Sequence, residues 1–482
     1  MTELIWDAVI IFNGIVLFYF LSLNSVYLVT SLFAFRALRA YALRMKTLDM
    51  EEFLRSGGAP PITLISPAFN EEATCVESVR SLLTLNYPDF EVLVCNDGST
   101  DDTLGVLRDA FNLEPVERVP MASIPTAEVR GVYRSRRHRN LWVVDKANGG
   151  KADALNAAIN HSRTVLFCAM DADSLLERNA LLRIVRPFLE NADTVAAGGI
   201  IRIVNGCTVR HGQVEEIGLP KNPLAQFQVL EYLRAFLSGR MGWDALDSVL
   251  VISGAFGIFD RSRVVEAGGY ATDTVGEDME LVVRLHRHCR EEEIPYRITF
   301  VPDPVAWTEC PETLGVLGRQ RDRWQRGLYE SLTRHRTMLF NPRYGKPGML
   351  AFPYFFFLEM LGPMVEALGY VAFLATVLMG RASPLYVTAF LAVAVVLGVV
   401  LSIAAVGLEE LSFRRYPRRK DLLKLFLFGV LENFGYRQLN AWWRFRGTIR
   451  AVRGKEGWGA MVRKGFSPAE KGRDGNGRKD TG

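Results

Sequence analysis

Two long apolar stretches frame this chain of 482 residues. The first covers residues 4–34, and the second covers 349–407, where a polar break at 380–384 divides it. A helix needs about 20 apolar residues to cross a bilayer, so the stretches predict one span near the N-terminus and two more at roughly 350–379 and 385–408. A signal peptide is a poorer interpretation of the first stretch, because the run is too long and no small-residue cleavage site follows it.

Clusters of Arg and Lys follow each apolar stretch, at 36–46 and at 414–420. Because the cytoplasmic flanks of membrane helices carry an excess of Lys and Arg, these clusters predict that the long segment between the spans faces the cytosol. The segment 421–446 is ambiguous, since charges interrupt its apolar core. A fourth span would export the strongly basic residues that follow, so an interfacial or re-entrant helix is the favoured interpretation.

Charge and cysteine usage exclude some classes of function. The formal net charge of +4 is too small to argue for a nucleic-acid partner, since the basic residues cluster beside the apolar stretches. The six cysteines show no paired spacing, which is typical of reduced cytosolic thiols rather than of disulfides or a zinc site. The six histidines also lack the spacing of metal ligands.

Short apolar runs of strand length alternate with helical patterns between residues 61 and 174. These runs lie at 62–66, 91–96, 141–145 and 165–170. Between the first two, residues 71–85 carry apolar side chains at helical spacing. This βαβ alternation predicts an α/β fold with a parallel-rich sheet covered by helices. Ligands of such sheets bind beyond the carboxyl ends of the strands, so the residues that follow each run are candidates for a binding site.

Aromatic and charged residues follow the first three runs. Phe69 and Glu71 come after the first run, and Asp97 comes after the second. Asp97 can bond a uracil edge or a ribose hydroxyl, whereas a tight turn and helix cap are the plainer explanation of this residue. For Glu71, a favourable charge in the first turn of a helix is the plainer explanation. Lys151 follows two glycines at the start of a predicted helix, where backbone N–H groups and an ammonium group suit a diphosphate. A surface lysine beside a helix cap is the plainer alternative there.

Asp171 and Asp173 form a D-x-D pattern directly after the fourth apolar run. The pattern is common by chance, and its position at a strand end is what favours a site. Two carboxylates there suit Mg²⁺ or Mn²⁺, a hard cation whose other ligands would be diphosphate oxygens and water. Asp173 is predicted to be the more direct ligand, and Asp171 to contact both the metal and the ribose.

Two further motifs lie near the end of the polar segment. Asp278 belongs to a G-E-D sequence at the start of a helical pattern, where carboxylates also stabilise the helix dipole. Residues 320–324 spell Q-x-x-R-W, which supplies Gln320, Arg323 and Trp324. An amphipathic helix lying on anionic lipid accounts for the arginines of this motif. Alternatively, Arg323 pairs with a diphosphate, Gln320 bonds sugar hydroxyls, and Trp324 stacks on a sugar face.

These motifs, in this order and between membrane spans, resemble the family-2 membrane glycosyltransferases that build β-linked polysaccharides. The resemblance covers about residues 61–327 and extends to the cellulose, hyaluronan, chitin and poly-N-acetylglucosamine synthases. It implies a GT-A-like nucleotide-sugar transferase domain attached to an α-helical transmembrane region. The predicted parts are a transmembrane helix with a basic flank (1–47), a cytosolic glycosyltransferase domain (48–345), two transmembrane helices (346–410), a basic loop with the interfacial or re-entrant helix (411–465) and a disordered tail (466–482).

The resemblance also implies roles for individual residues. Asp97 would be the uridine-binding aspartate, with Phe69 and Glu71 touching the nucleoside. Asp278 would be the base that removes the acceptor's proton, and Gly254 and Ala255 in a glycine-opened turn would lie near the acceptor sugar. For Gly254 and Ala255, the end of a core strand is an equally good explanation.

The function expected from the resemblance is inverting, metal-dependent transfer of a sugar from a UDP-sugar to a growing β-linked polysaccharide at the inner membrane face. UDP-N-acetylglucosamine is the best guess for the donor, and Mg²⁺ or Mn²⁺ for the cofactor. Two alternatives stay open at this point: a non-processive transferase that acts on a lipid-linked acceptor, and an inactive receptor or scaffold with the same fold. The expected partners are the donor, the acceptor and membrane lipids.

Overall fold

The computed structural model describes residues 2–45, 58–172, 174–210, 212–416 and 418–454. The predicted metal ligand Asp173, the start of the predicted catalytic domain and the predicted tail at 466–482 lie outside these ranges.

Strands and helices alternate through the first half of the chain, and helices dominate the second half. The strands are β1 (Ile62–Ala68), β2 (Phe90–Asp97), β3 (Leu113–Pro115), β4 (Val129–Ser135), β5 (Leu141–Lys146), β6 (Leu166–Ala169), β7 (Leu175–Leu176), β8 (Thr194–Ile203), β9 (Thr208–Arg210), β10 (Gln213–Glu216), β11 (Gly257–Asp260) and β12 (Arg297–Thr308). The helices are α1 (Thr2–Met45), α2 (Cys75–Leu83), α3 (Thr103–Phe111), α4 (Lys151–His161), α5 (Ala180–Ile184), α6 (Arg186–Glu190), α7 (Pro223–Leu233), α8 (Met241–Asp244), α9 (Arg261–Glu266), α10 (Glu277–Glu291), α11 (Leu314–Arg334), α12 (Phe352–Tyr354), α13 (Gly362–Leu378), α14 (Pro384–Leu391), α15 (Leu397–Ser412), α16 (Arg419–Leu431) and α17 (Tyr436–Val452).

A ten-stranded mixed sheet forms the centre of the described part, in the order β3-β4-β5-β2-β1-β6-β11-β8-β12-β7. Strands β5, β2, β1 and β6 run parallel to one another, and they are the four apolar runs predicted as strands. Their central residues are buried on both faces, as parallel strands between helical layers must be. The predicted parallel-rich α/β sheet is confirmed, and β4, β11 and β7 add antiparallel pairs to it.

The register of the parallel strands places their carboxyl ends at one edge. Ala68 lies opposite Asn96, and Asp97 lies opposite Lys146. The Met170 N–H donates to the Ile65 carbonyl (3.2 Å), so β6 ends beside β1. The residues that follow β1, β2, β5 and β6 therefore emerge along the same edge of the sheet.

The second half of the sheet positions two helices over that edge. Strand β8 is buried along its whole length and pairs in parallel with β12, which leads into α11. The helix α10 packs Leu281, Val282 and Leu285 against the core. Its N-terminus, with Glu277 and Asp278, consequently points back over the carboxyl edge.

Three helical segments are long and apolar enough to cross a membrane: Trp6–Met45, Pro347–Leu378 and Pro384–Ser412. They coincide with the three spans expected from the apolar stretches. The ambiguous segment that follows forms α16 and α17, of 13 and 17 residues, separated by residues 432–435. In the described part of the chain it contributes no further candidate span.

Helix α17 covers α11 rather than standing apart from the catalytic segment. Its Trp443 packs against Gly318, and its Gly447 packs against the backbone of Asp322. Arg321 and Arg326 of α11 are consequently buried, at 2 % and 7 % exposure. These two arginines therefore face protein rather than an open surface of α11.

Ion pairs connect the sheet and α11 to the helical region. Arg202 of β8 pairs with Glu409 of α15 (2.6 Å), and both side chains are buried. Glu177 pairs with Arg415 (2.6 Å), just beyond α15. On the other side, the Arg444 Nε donates to Gln325 Oε1 of α11 (2.9 Å).

Candidate active site

Asp97 ends β2 and organises the loop that precedes α4. Its Oδ1 accepts hydrogen bonds from Lys146 Nζ (2.6 Å) and the Gly149 N–H (3.0 Å), and its Oδ2 accepts one from the Gly150 N–H (2.7 Å). Gly150 has φ of 89°, a conformation that favours glycine directly before Lys151. The buried Asp97 carboxylate therefore accepts hydrogen bonds from neighbouring residues of the protein. Its contact with a uracil stays a prediction.

Phe69 and Glu71 follow β1 at the same edge. Phe69 is 49 % exposed, so its ring is accessible for stacking. The Glu71 N–H donates to Thr103 Oγ1 (2.8 Å), and its Oε2 accepts from the Thr74 hydroxyl (2.6 Å). Glu71 therefore ties the turn after β1 to the start of α3.

Lys151 is the first residue of α4 and faces two carboxylates. Its Nζ lies 2.7 Å from Asp171 Oδ1 and 3.1 Å from Glu277 Oε1. Burial acts to lower the pKa of Lys151, but the nearby Asp171, Glu277 and Asp278 outweigh it and raise the pKa well above the ordinary value. The ammonium is therefore held protonated at a strand edge, as a diphosphate-binding group must be.

Asp278 is fixed by two backbone donors at the start of α10. Its Oδ2 accepts from the Gly254 N–H (2.9 Å), and its Oδ1 accepts from the Met279 N–H (2.8 Å). A Cβ at Gly254 would lie 2.9 Å from Lys151 Nζ and 3.5 Å from Asp278 Oδ2, so this turn approaches both groups closely. Because Gly254 has no side chain, Asp278 and Lys151 can both lie close to its backbone.

Glu277 precedes Asp278 and is buried, at 5 % exposure. Burial raises the pKa of Glu277, Asp278 adds to the effect, and Lys151 opposes it. The sequence marked Glu277 only as a neighbour of the predicted base. The structure makes it a buried partner of Lys151 as well.

One face of α11 carries Gln320, Arg323, Trp324 and Gly327, at helical spacing. A Cβ on Gly327 would lie 2.7 Å from the Cα of Gly276, and a Cβ on Gly276 would lie 2.6 Å from the Cα of Gly327. The two backbones thus touch without side chains between them. This contact fixes the Q-x-x-R-W face against the G-E-D turn.

Trp324 is 44 % exposed and rests on a support that the motif alone does not reveal. The guanidinium carbon of Arg321 lies 4.3 Å from its ring centroid, and Arg321 Nη2 pairs with Glu231 Oε2 (2.6 Å). The Tyr436 hydroxyl donates to the same oxygen (2.8 Å). The indole is therefore backed by a buried cation and leaves its other side open.

A cavity of about 420 Å³ joins most of the predicted residues. From the predicted set, its lining includes Lys151, Asp171, Gly254, Ala255, Asp278, Gln320, Arg323 and Trp324. Phe69, Glu71 and Asp97 are not part of this lining. The structure therefore unites the predicted phosphate, base and acceptor groups, and it leaves the predicted nucleoside-binding residues outside the cavity.

A second cavity of about 300 Å³ continues from the first toward the helical region. Both are lined by Glu231, Ala235, Arg240, Val251, Trp324 and Leu328. The second is also bordered by Tyr27 of α1, by Glu359 and by Asn440 of α17. Residues such as Tyr232 and Arg240, which come from α7 and the π-helical segment after it, carry no motif by which the sequence could have marked them.

The oxygen ligands expected for a divalent cation are partly within the described residues. Asp171 lies on the cavity wall with its carboxylate beside Lys151, and Glu277 offers a second carboxylate there. Within the described ranges, no group of three His, Cys, Asp or Glu residues is arranged to hold a metal. Carboxylates of this kind fit a hard cation that takes its remaining ligands from a bound nucleotide.

Comparison with known proteins places these features in a family. The model of the glycosyltransferase-like family 2 matches residues 60–327, more than half of the chain. The poly-β-1,6-N-acetyl-D-glucosamine synthase of Staphylococcus epidermidis is 27 % identical over 274 residues, which cover 57 % of this chain and 56 % of the relative. The synthase of the same name from Staphylococcus aureus strain COL is 28 % identical over the same shares.

The chain thus spans a little over half the length of the curated relatives that it matches. Among solved structures, a mannosyltransferase from Pyrobaculum calidifontis in complex with GDP-Man and Mn²⁺ has a TM-score of 0.49 and 18 % identity, covering 86 % of this chain and 99 % of its own. The family match, which spans the sheet and the Q-x-x-R-W helix, is what identifies the protein. The chain belongs to the family-2 glycosyltransferases.

Proposed function

We propose that this glycosyltransferase transfers N-acetylglucosamine from its UDP-sugar to the end of a growing β-linked polysaccharide, with inversion at the anomeric carbon. The observation that carries the proposal is one cavity whose lining includes Lys151, Asp171, Asp278 and Trp324. The names of the curated relatives support the choice of sugar and of a polymeric product.

The donor's diphosphate would lie beside Lys151 at the N-terminus of α4. The ammonium and the backbone N–H groups of that first turn supply positive charge where the leaving UDP becomes more negative. A divalent cation, Mg²⁺ or Mn²⁺, would be held by Asp171 and Asp173, and it would offset the remaining charge on the leaving group. Phe69, Glu71 and Asp97 would contact the nucleoside at the adjacent strand ends.

Asp278 would remove the proton of the acceptor hydroxyl as that oxygen attacks the anomeric carbon. The Gly254 and Met279 N–H groups hold its carboxylate in one orientation, so it need not reorganise during the reaction. Attack from the face opposite the leaving UDP inverts the anomeric configuration. Transfer from an α-linked donor then gives a β-linked product.

The acceptor sugar would stack on Trp324, with Gln320, Arg323 and the 254–255 turn around it. The second cavity starts at Trp324 and reaches α1 and α17, so it offers room for the sugars added earlier. The basic clusters beside the candidate spans support a catalytic domain at the cytosolic membrane face.

The proposal is tested by incubating the purified full chain, in lipid nanodiscs, with a panel of radiolabelled UDP-sugars and Mg²⁺ or Mn²⁺. We expect label from UDP-N-acetylglucosamine in a product many sugars long, and none with the Asp278→Asn variant as the matched control. A product one sugar longer than an added lipid-linked acceptor would replace the polymer by the non-processive reaction. Absence of transfer from every donor would contradict the proposal.

A further inference from the structure

Arg240 is a cation on the wall of the active-site cavity, and none of the described residues forms an ion pair with it. It ends the π-helical segment Arg234–Arg240 and lines both cavities. Its Nη1 is buried and has no hydrogen-bond partner, and within the described ranges no carboxylate pairs with its guanidinium. Segments of this helical type are uncommon and are frequent at functional sites.

Neighbouring arginines of the same region do have anionic partners. Arg321 pairs with Glu231 (2.6 Å), Arg234 with Glu432 (2.6 Å), and Arg444 with Glu359 (2.9 Å). Burial of an unpaired charge is costly, so a fold retains one when something else compensates it. Arg240 therefore differs from its neighbours in a way that a structural role does not explain.

The electrostatic environment of Arg240 agrees with the absence of an ion pair to any described carboxylate. Burial lowers its pKa to about 10, while Asp278 and Tyr232 act in the opposite direction. The guanidinium thus stays protonated at neutral pH. Asp278 is near enough to influence it but forms no ion pair with it.

The guanidinium of Arg240 lies over an aromatic ring. Its central carbon lies 3.9 Å from the ring centroid of Phe236. A guanidinium stacked in this way keeps its N–H donors in its own plane, at the edge, where they can bond a planar oxygen-bearing group. Phe236 therefore prepares Arg240 for a ligand that arrives from the cavity.

The position of Arg240 favours the acceptor over the donor. Lys151, predicted to bind the diphosphate, and Asp171, predicted to contact the metal and the ribose, line the first cavity alone. Arg240 and Trp324 line both cavities, so they share the passage through which an acceptor would extend.

We propose that Arg240 binds an sp² oxygen on the terminal sugar of the acceptor, the carbonyl of an acetamido group or a carboxylate, while Trp324 stacks on the ring. It would thereby select acceptors that carry such a group over sugars with hydroxyls alone. This inference rests on the proposed function, since it assigns the acceptor class of the same site. Arg240 is in this view a specificity residue on the acceptor side.

The test measures equilibrium binding, so that it does not depend on turnover. Full-length enzyme in nanodiscs is titrated by calorimetry with three oligosaccharides of equal length and linkage. One is built from N-acetylglucosamine, one from glucose, and one from glucose with a terminal glucuronic acid. The variants are Arg240→Met, Arg240→Lys and, as a matched loss of charge on the surface, Arg263→Met, whose partner is Glu266.

We expect the unmodified enzyme to prefer the acetamido or the uronate oligosaccharide over the glucose one by about 10- to 100-fold, the range of a hydrogen bond to a charged group. If the acetamido oligosaccharide binds more tightly, the oxygen bound by Arg240 is an amide carbonyl, and if the uronate oligosaccharide does, it is a carboxylate. Arg240→Met should remove the preference and leave UDP affinity within a few-fold. Arg240→Lys, which keeps the charge without the planar fork, should keep part of the preference, and Arg263→Met should keep all of it.

Equal affinity of the unmodified enzyme for all three oligosaccharides would overturn the inference, and so would a preference that survives Arg240→Met. A loss of UDP affinity as large as the loss of acceptor affinity would instead assign Arg240 to the diphosphate. If Arg240→Met does not fold, the preference of the unmodified enzyme and its partial retention in Arg240→Lys decide the matter. Failure of the transfer assay with intact oligosaccharide selectivity would contradict the proposed function and leave Arg240's role standing.

Discussion

The carboxylate of Asp278 receives one backbone N–H on each oxygen, from Gly254 and Met279. These bonds hold the carboxylate in one rotamer. They also leave each oxygen a free lone pair, which is what a group that accepts a proton needs. The predicted base is thus prepared by its backbone before any substrate arrives.

Asp278→Asn should abolish sugar transfer, because an amide does not accept the acceptor's proton. The expected loss is at least the ~10²- to 10⁴-fold typical of a general base. UDP affinity, measured by calorimetry, should stay within a few-fold, since Lys151 and Asp171 are untouched. Transfer near the normal rate would place the base elsewhere, and Glu277→Gln would then be the next variant to assay.

Trp324→Ala should shorten the product while sparing the donor site. Loss of a stacking surface costs about 1–3 kcal/mol by analogy with bases stacked on aromatic side chains. The acceptor would then dissociate between additions, so donor hydrolysis or single transfer should persist while long product disappears. Product length on a sizing column checks this, with Trp324→Phe as the variant that retains a ring. Normal long polymer from Trp324→Ala would mean that the indole is not the acceptor surface.

Single residues could be predicted where they belong to a motif that directly follows a strand or opens a helix. Lys151, Asp171 and Asp278 satisfy this condition, whereas Trp324 lies within α11 and was predicted from the Q-x-x-R-W motif alone. The structure brings all four into one cavity. Arg240 and Arg321 belong to no such motif. Arg240 attracts attention because it lines the cavity without an ion pair to a described residue, and Arg321 because it packs beneath the ring of Trp324. For Asp97 the sequence predicted the position at the end of a strand. It did not predict the four hydrogen bonds that the carboxylate accepts from side-chain and backbone donors.

At the scale of elements, the contact between α11 and the turn before α10 is made by two glycines. A Cβ on either glycine would lie only 2.6–2.7 Å from the Cα of the other, so neither glycine can be replaced by a larger residue without a shift of the backbone. Rigid contacts of this kind transmit a displacement of α11 directly to Asp278.

Gly327→Ala should therefore impair catalysis although it lies outside the motif. Its Cβ would lie 2.7 Å from the Cα of Gly276, and forced overpacking of this kind typically costs about 1–3 kcal/mol. We expect a lower kcat with UDP affinity nearly unchanged. Gly315→Ala on the same helix is the matched control, because its Cβ would meet only the Arg319 side chain, at 3.9 Å. Equal kcat in the two variants would show that the glycine contact is not needed.

Strands and helices could be predicted where a short stretch of sequence carries a clear hydrophobic pattern. Strands β1, β2, β5 and β6 are continuous apolar runs, and their parallel pairing follows from the helices between them. Strand β4 escaped prediction because it lies near the sheet edge and alternates exposed arginines with half-buried residues. The packing of α17 on α11 joins residues more than 100 positions apart, and no local pattern specifies such a pairing.

At the scale of the whole molecule, the basic clusters predict which side of the membrane each segment faces. A membrane-impermeant maleimide applied to intact cells should label an Ala382→Cys variant, in the loop between the second and third candidate spans. It should not label an Arg136→Cys variant, whose exposed position lies in the catalytic segment. The parent chain is the control, because five of its cysteines are buried. The opposite labelling pattern would reverse the topology.

A divalent cation should be needed for turnover by the intact enzyme. Excess chelator should stop transfer, and added Mn²⁺ or Mg²⁺ should restore it, because the carboxylates beside Lys151 would otherwise face the diphosphate uncompensated. Asp173→Ala should behave like the chelated enzyme, with an unchanged circular dichroism spectrum. Undiminished turnover in chelator would remove the metal from the mechanism.

Two ion pairs, Arg202–Glu409 and Glu177–Arg415, join the polar segment of the chain to the apolar helical segment that follows it. Cutting the chain at that boundary strands a buried charge on each fragment, a defect that typically costs about 3–5 kcal/mol for a single broken buried pair. A truncation at residue 345 would therefore yield a weakened sheet. The segment before residue 345 and the helical segment after it thus each supply charged groups that form ion pairs with the other.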